Sequence, residues 1–210
     1  MYTVGFVDNS FDLLPDYQTR LKRHGISLLF PEEKKSKEEI LQWIFENNIR
    51  CLMVDHKLRP NFDFVGTDLV AYINSELPDL PCMILTSYTQ ESLNENLVIE
   101  NMIEDRDSSL SSNSIVTFAD KLKQAVDVFC KRIERHEEEY RLLIKKKKNG
   151  SITAQEEERA IYLYRLLRAY GELDEFPAEL LRSEIEGKVD TIIGKLNDLL
   201  VDITSEKAGD

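Results

Sequence analysis

Basic side chains are the minority charge in this sequence: 27 Lys and Arg stand against 39 Asp and Glu, a formal net charge of −12. Phosphate contacts need concentrated Lys and Arg, so this balance speaks against a general binder of nucleic acid or anionic membrane. Long hydrophobic runs are missing too. No uninterrupted apolar stretch reaches the roughly 18–20 residues of a membrane span. The opening MYTVGFVDNS lacks the basic, long apolar and small-residue regions of a signal peptide, so the expectation is a cytoplasmic protein. Cysteine is scarce. Cys51, Cys82 and Cys130 are odd in number, without CxxC spacing and each in apolar surroundings, which excludes a visible zinc site and reads as reduced, buried thiols. Internal repeats are absent as well.

What is present is an ordinary globular composition, 42% hydrophobic and 9% aromatic over 210 residues, enough for one generous domain or two modest ones. Val4 to Val7 is a short apolar run ending at Asp8, and Leu14, Tyr17 and Leu21 follow at helical spacing before Gly25. ISLLF reads as a second strand closed by Pro31, after which Ser36 and Glu39 form a capping box ahead of Ile40, Trp43 and Ile44. CLMVD is the third strand, GTDLVAYINSEL the third helix and PCMILTS the fourth strand. LVIENMIED offers a fifth strand, and SSLSSNS after it reads as a polar loop. Strands alternating with helices need crossover connections, which predicts a five-stranded, doubly wound parallel α/β sheet over residues 1–118.

The character changes near Phe118. Val126, Phe129, Ile133, His136, Tyr140 and Leu143 step by three and four, the stripe of a coiled-coil-like seam. A helix from Ser114 to Lys148 would be roughly 50 Å long at 1.5 Å per residue. Lys145 to Lys148 suit the negative end of its dipole, and Asn149-Gly150 suits a left-handed stop. Thr153 with Glu156 caps a second helix that Gly171 ends, and Pro177 opens a third carrying Leu181, Ile185, Val189, Ile192, Leu196, Leu199 and Ile203. Residues 119–210 are therefore expected to be an all-α extension, a small bundle or a coiled hairpin with a return helix, that serves interaction. Its basic residues are interleaved with Glu, unlike a DNA-reading unit. His24 at a helix end and His136 on the stripe read as structural.

The strand tips carry Asp8 and Asn9 after the first strand, Asp55 after the third and Thr86-Ser87 after the fourth. A doubly wound sheet gathers such tips on one edge, where carboxylates from the first and third strands can share a Mg²⁺ through oxygens and waters. This arrangement resembles the receiver domain of two-component response regulators, flavodoxin-like in fold, and DHKLRP…GTDL resembles the loop that follows that family's acceptor Asp. The resemblance implies Asp55 as phosphoacceptor, Thr86 as the hydroxyl that meets the phosphoryl group, and a Mg²⁺ site of Asp8, Asn9, Asp55 and the Lys57 backbone carbonyl. It also implies a histidine kinase or phosphotransfer protein as donor, and output through the helices, to a protein partner or a second copy.

The sequence departs from the family pattern in three places. Asn9 stands where a second acid is usual, Arg106 where a Lys is usual, and Ile103 where an aromatic switch residue is usual, with Tyr88 nearby. Three functions follow. One is a signalling protein phosphorylated on Asp55, acting by interaction or as a phosphoryl sink or relay, without DNA binding or enzymatic output. The second is a pseudo-receiver that keeps the fold as an unphosphorylated binding or scaffold module. A dehalogenase-like hydrolase is the third; it needs a general acid two residues after the nucleophile, where Lys57 stands.

Overall fold

The computed structural model describes residues 1–10, 12, 14–32 and 36–173. The helix expected from Pro177 lies outside them. Five parallel strands, β1 (Tyr2–Val7), β2 (Ile26–Leu29), β3 (Leu52–Val54), β4 (Cys82–Thr86) and β5 (Ile103–Asp105), form one sheet in the order β2-β1-β3-β4-β5. That is the doubly wound, flavodoxin-like order, whose switch point lies between β1 and β3.

The central strands are buried on both faces, which explains their near-continuous apolar sequences. One face carries Val4, Phe6, Met53, Met83 and Leu85 against Leu14, Tyr17 and Leu21 of α1 (Leu14–Lys22) and Phe118, Leu122 and Val126 of α6 (Ile115–Lys148). On the other, Trp43 of α2 (Lys37–Glu46) and Leu52 both close over Gly5. Alongside lies α3 (Gly66–Glu76), with Leu69, Val70 and Ile73 buried. Each such large side chain removed from water contributes about 1.5–3 kcal/mol. The capping box of Ser36 and Glu39 is formed at the start of α2.

The segment between β4 and α6 differs from its sequence reading. The expected strand LVIENMIED is reduced to Ile103–Asp105, preceded by a 3₁₀ turn at Glu100–Met102. Two short helices appear that periodicity does not announce: α4 (Thr89–Asn94) and α5 (Arg106–Ser109). Both are polar. The second borrows its start from Asp105, whose side chain accepts from the Ser108 N–H at 2.9 Å.

The chain divides into two compact units, Met1–His136 and Glu137–Asp210, so the division falls inside α6. Within the second unit, the end of α6 and α7 (Ala154–Ala169) form a helical hairpin. Gly150 takes the left-handed conformation (φ 68°), while the N–H groups of Gly150 and Ser151 return to the Lys147 and Lys146 carbonyls. That is a Schellman stop. Arg159 grips Glu139 with two hydrogen bonds of 2.9 and 2.8 Å, the rings of Tyr140 and Tyr164 lie 6.5 Å apart, and Thr153 with Glu156 caps α7.

Candidate functional site

Strand register builds the site. Val7 pairs with Val54, so the next residue on each strand, Asp8 and Asp55, emerges at the same level on adjacent strands. Thr86 pairs with Asp105, which sends Arg106 out from the tip of β5 beside them. The three side chains meet. Arg106 Nη2 lies 2.9 Å from Asp8 Oδ2 and 2.9 Å from Asp55 Oδ1, with Asp8 3% and Asp55 6% exposed. The Asp8 contact is one of charge, because no N–H lines up on Oδ2. The other Asp8 oxygen, Oδ1, accepts from the Ser10 N–H at 3.0 Å.

The guanidinium has a socket of its own. Arg106 Nη2 donates to the Leu85 carbonyl at 3.3 Å, its planar head stands 5.7 Å from the centre of the Phe6 ring, and the Tyr17 phenol is near enough to feel its charge. Burial pushes the Asp8 pKa above the ordinary carboxylate value and outweighs the nearby guanidinium. Burial likewise raises the Tyr17 phenol.

The remaining residues singled out by sequence fall around this cluster. Thr86 is fully buried, and its Oγ1 accepts from the Tyr88 N–H at 3.2 Å. Asn9 turns its amide nitrogen to the Arg59 carbonyl (2.9 Å), while its backbone oxygen accepts from Asn61 (2.6 Å), so it ties the β1 tip to the loop after β3. The Lys57 ammonium contacts Glu91 at 3.2 Å and lies 3.3 Å from the centre of the Tyr88 ring. Ile103 is half-buried in β5.

Some participants were not singled out from the sequence. Phe6 and Tyr17 were legible as core positions, but their contact with Arg106 depends on three-dimensional closure. His56, buried beside Asp55, points Nε2 toward Glu95 Oε1 at 3.8 Å, and the buried Thr67 hydroxyl donates to the same carboxylate. A His directly after Asp55 was the available signal. Gly66 opens α3 against the Asp55 backbone: a Cβ there would lie 2.0 Å from the Asp55 carbonyl oxygen, and the Gly66 N–H donates to the His56 carbonyl at 2.8 Å.

The Mg²⁺ implied by the resemblance does not fit this arrangement. Mg²⁺ demands about six oxygens at roughly 2.0–2.1 Å, whereas a guanidinium nitrogen stands between the two carboxylates. Among the described residues no group of three or more His, Cys, Asp or Glu is placed to hold a metal ion.

Cys51, Cys82 and Cys130 are free thiols. Burial pushes the Cys51 pKa to about 12 and raises that of Cys82 as well, leaving both unreactive. No helix among the described residues is long and apolar enough to cross a membrane.

No family model matches the chain, and no curated protein matches it. Solved structures do. The CheY-like receiver domain of a response regulator from Methanospirillum hungatei is 18% identical over 63% of this chain and 98% of its own, with a TM-score of 0.48. The response regulator TrrA from Thermotoga maritima, solved in complex with Mg²⁺ and BeF, is 17% identical over 60% of this chain and 99% of its own, with a TM-score of 0.47. The signal receiver domain of an HD domain-containing protein from Pseudomonas fluorescens gives 16%, 62%, 98% and 0.48 in the same terms. The matches are mainly receiver domains. The fold itself is read from this chain's own strand order and helices: a five-stranded parallel sheet of flavodoxin-like type, followed by further helices.

Proposed function

We propose that this chain is a response regulator-like signalling protein in which Asp55 accepts a phosphoryl group and the helices after the sheet carry the output by protein–protein interaction. The observation that supports it is the meeting of Asp8, Asp55 and Arg106 at the switch point of the sheet. Loose phosphoryl transfer asks for positioning and charge neutralisation rather than covalent assistance; the strand edge positions the carboxylate, and the Arg106 guanidinium is the cation beside it. An Asp55 carboxylate oxygen attacks phosphorus. The P–N bond to the phosphohistidine of a kinase or phosphotransfer protein breaks, its electron pair stays on the imidazole nitrogen, and a proton from water completes the neutral leaving group. Arg106 pairs with the phosphoryl oxygens, the Thr86 hydroxyl donates to one of them, and Asp8 positions Arg106.

In this reading the protein works in the cytoplasm, has no enzymatic output of its own and does not bind DNA. Its partner is another protein or a second copy, met through the helical extension, or it acts as a phosphoryl sink. A second reading, an unphosphorylated pseudo-receiver, draws on the burial of Asp55 and its existing ion pair.

Intact mass after incubation with acetyl phosphate, and separately with a phosphorylated histidine kinase or phosphotransfer protein, tests the proposal. A phosphoryl adduct in the wild type that is missing from Asp55→Ala is the expected result. No adduct from either kind of donor moves the assignment to the pseudo-receiver.

A further inference from the structure

Two carboxylates and one guanidinium leave the cluster with a formal charge of −1, and all three groups are largely withdrawn from water. Buried charges persist only when paired and hydrogen-bonded. Arg106 meets that condition at Nη2, while its buried Nε has no hydrogen-bond partner among the described residues. Two acids at 2.9 Å, the Leu85 carbonyl, the Phe6 face and the Tyr17 side chain surround a side chain that is 14% exposed. A guanidinium is permanently charged, weakly hydrated and planar, so it tolerates burial better than an ammonium and stacks on a ring as it pairs.

One cation already bridges the two strand tips from the position an ion shared by them would occupy. The third oxygen-bearing side chain of the edge, Asn9, donates its amide nitrogen to the Arg59 carbonyl.

We propose that Arg106 is the resident cation of the Asp8–Asp55 pair, and that this edge therefore takes no divalent ion while the guanidinium is seated. The cation that offsets the acids is encoded in the chain. A divalent ion enters only when Arg106 is replaced by a side chain that can leave.

The full-length protein, with no phosphoryl donor present, is titrated with Mn²⁺, and free Mn²⁺ is read by electron paramagnetic resonance. The expected result is no saturable site in the wild type and a saturable one in Arg106→Gln. The gain in affinity should be about tenfold or more, since a unit positive charge next to the ion has been removed. Asp8→Asn added to Arg106→Gln should abolish that site. Circular dichroism checks folding. If Arg106→Gln does not fold, Arg106→Lys keeps a positive charge but gives up the planar fork and the ring contact, so its ammonium can leave the acids, and a smaller but measurable gain is expected. A saturable wild-type site that Asp8→Asn removes would overturn the proposal. So would a folded Arg106 variant that binds Mn²⁺ no better than wild type. The titration involves no phosphoryl transfer, so its failure and the failure of the Asp55 adduct experiment are separate results.

Discussion

Asp8 sits where its own charge is disfavoured. Burial raises its pKa above the ordinary carboxylate value, the Arg106 guanidinium and the Ser10 N–H pull it down, and the neighbouring Asp55 charge adds to the rise. The folded chain thus binds this proton more tightly than the unfolded chain does. The stability Asp8 contributes is full below the unfolded value and is lost as pH rises through the folded one. Asp8→Asn keeps the shape and removes the charge, so at pH 7 it should stabilise the protein by on the order of 1 kcal/mol. The fall in stability on leaving acid pH should shrink with it. Urea unfolding at a series of pH values measures both. Destabilisation by about 3 kcal/mol would instead mean that the Arg106 attraction outweighs burial. At this scale Asp8, Asn9, Asp55, Thr86 and Arg106 were legible because a polar residue ending an apolar strand stands out. The Asn9 amide direction and the Phe6–Tyr17 socket were not, since they depend on which residues of other elements arrive.

Among the elements, α3 has the tightest constraint from the site. Its first residue, Gly66, approaches the Asp55 carbonyl so closely that an added Cβ would fall 2.0 Å from that oxygen, a backbone atom with no rotamer to yield. Gly66→Ala should cost about 3 kcal/mol, toward the upper end of overpacking effects, and shift the Asp55 backbone. Chemical denaturation reads the first effect and amide chemical shifts around Asp55 the second. A loss under about 0.5 kcal/mol, typical of an exposed surface change, would mean that α3 moves freely from β3. Capping boxes made α2 and α7 readable, because Ser36 with Glu39 and Thr153 with Glu156 mark helix starts in the sequence itself. By contrast, α4 and α5 are short and polar, with one buried residue each, so no apolar period betrays them.

Across the whole molecule, the alternation of apolar runs and amphipathic stretches carried enough information for a doubly wound sheet, and parallel strands with right-handed crossovers leave few alternatives. The division within α6 was harder to read. The stripe runs without a break through Phe129 and Ile133 of the first unit to Tyr140 and Leu143 of the second, and periodicity alone cannot say where one unit ends. Charge acts at this scale too. The densest basic run, Lys145 to Lys148, closes α6, and the structure turns Lys146 and Lys147 onto Glu156 and Glu157. With a net charge of −12 around it, that run has little left for phosphates. Fluorescence anisotropy of a labelled duplex at about 50 mM salt should therefore show no saturable binding, because non-specific affinity comes from releasing counterions to Lys and Arg. Binding that weakens steeply with added salt and disappears on replacing Lys145 to Lys148 would sink this expectation. It would mean that DNA phosphates outcompete Glu156 and Glu157 for those ammonium groups, and the helical extension would then carry a nucleic-acid output.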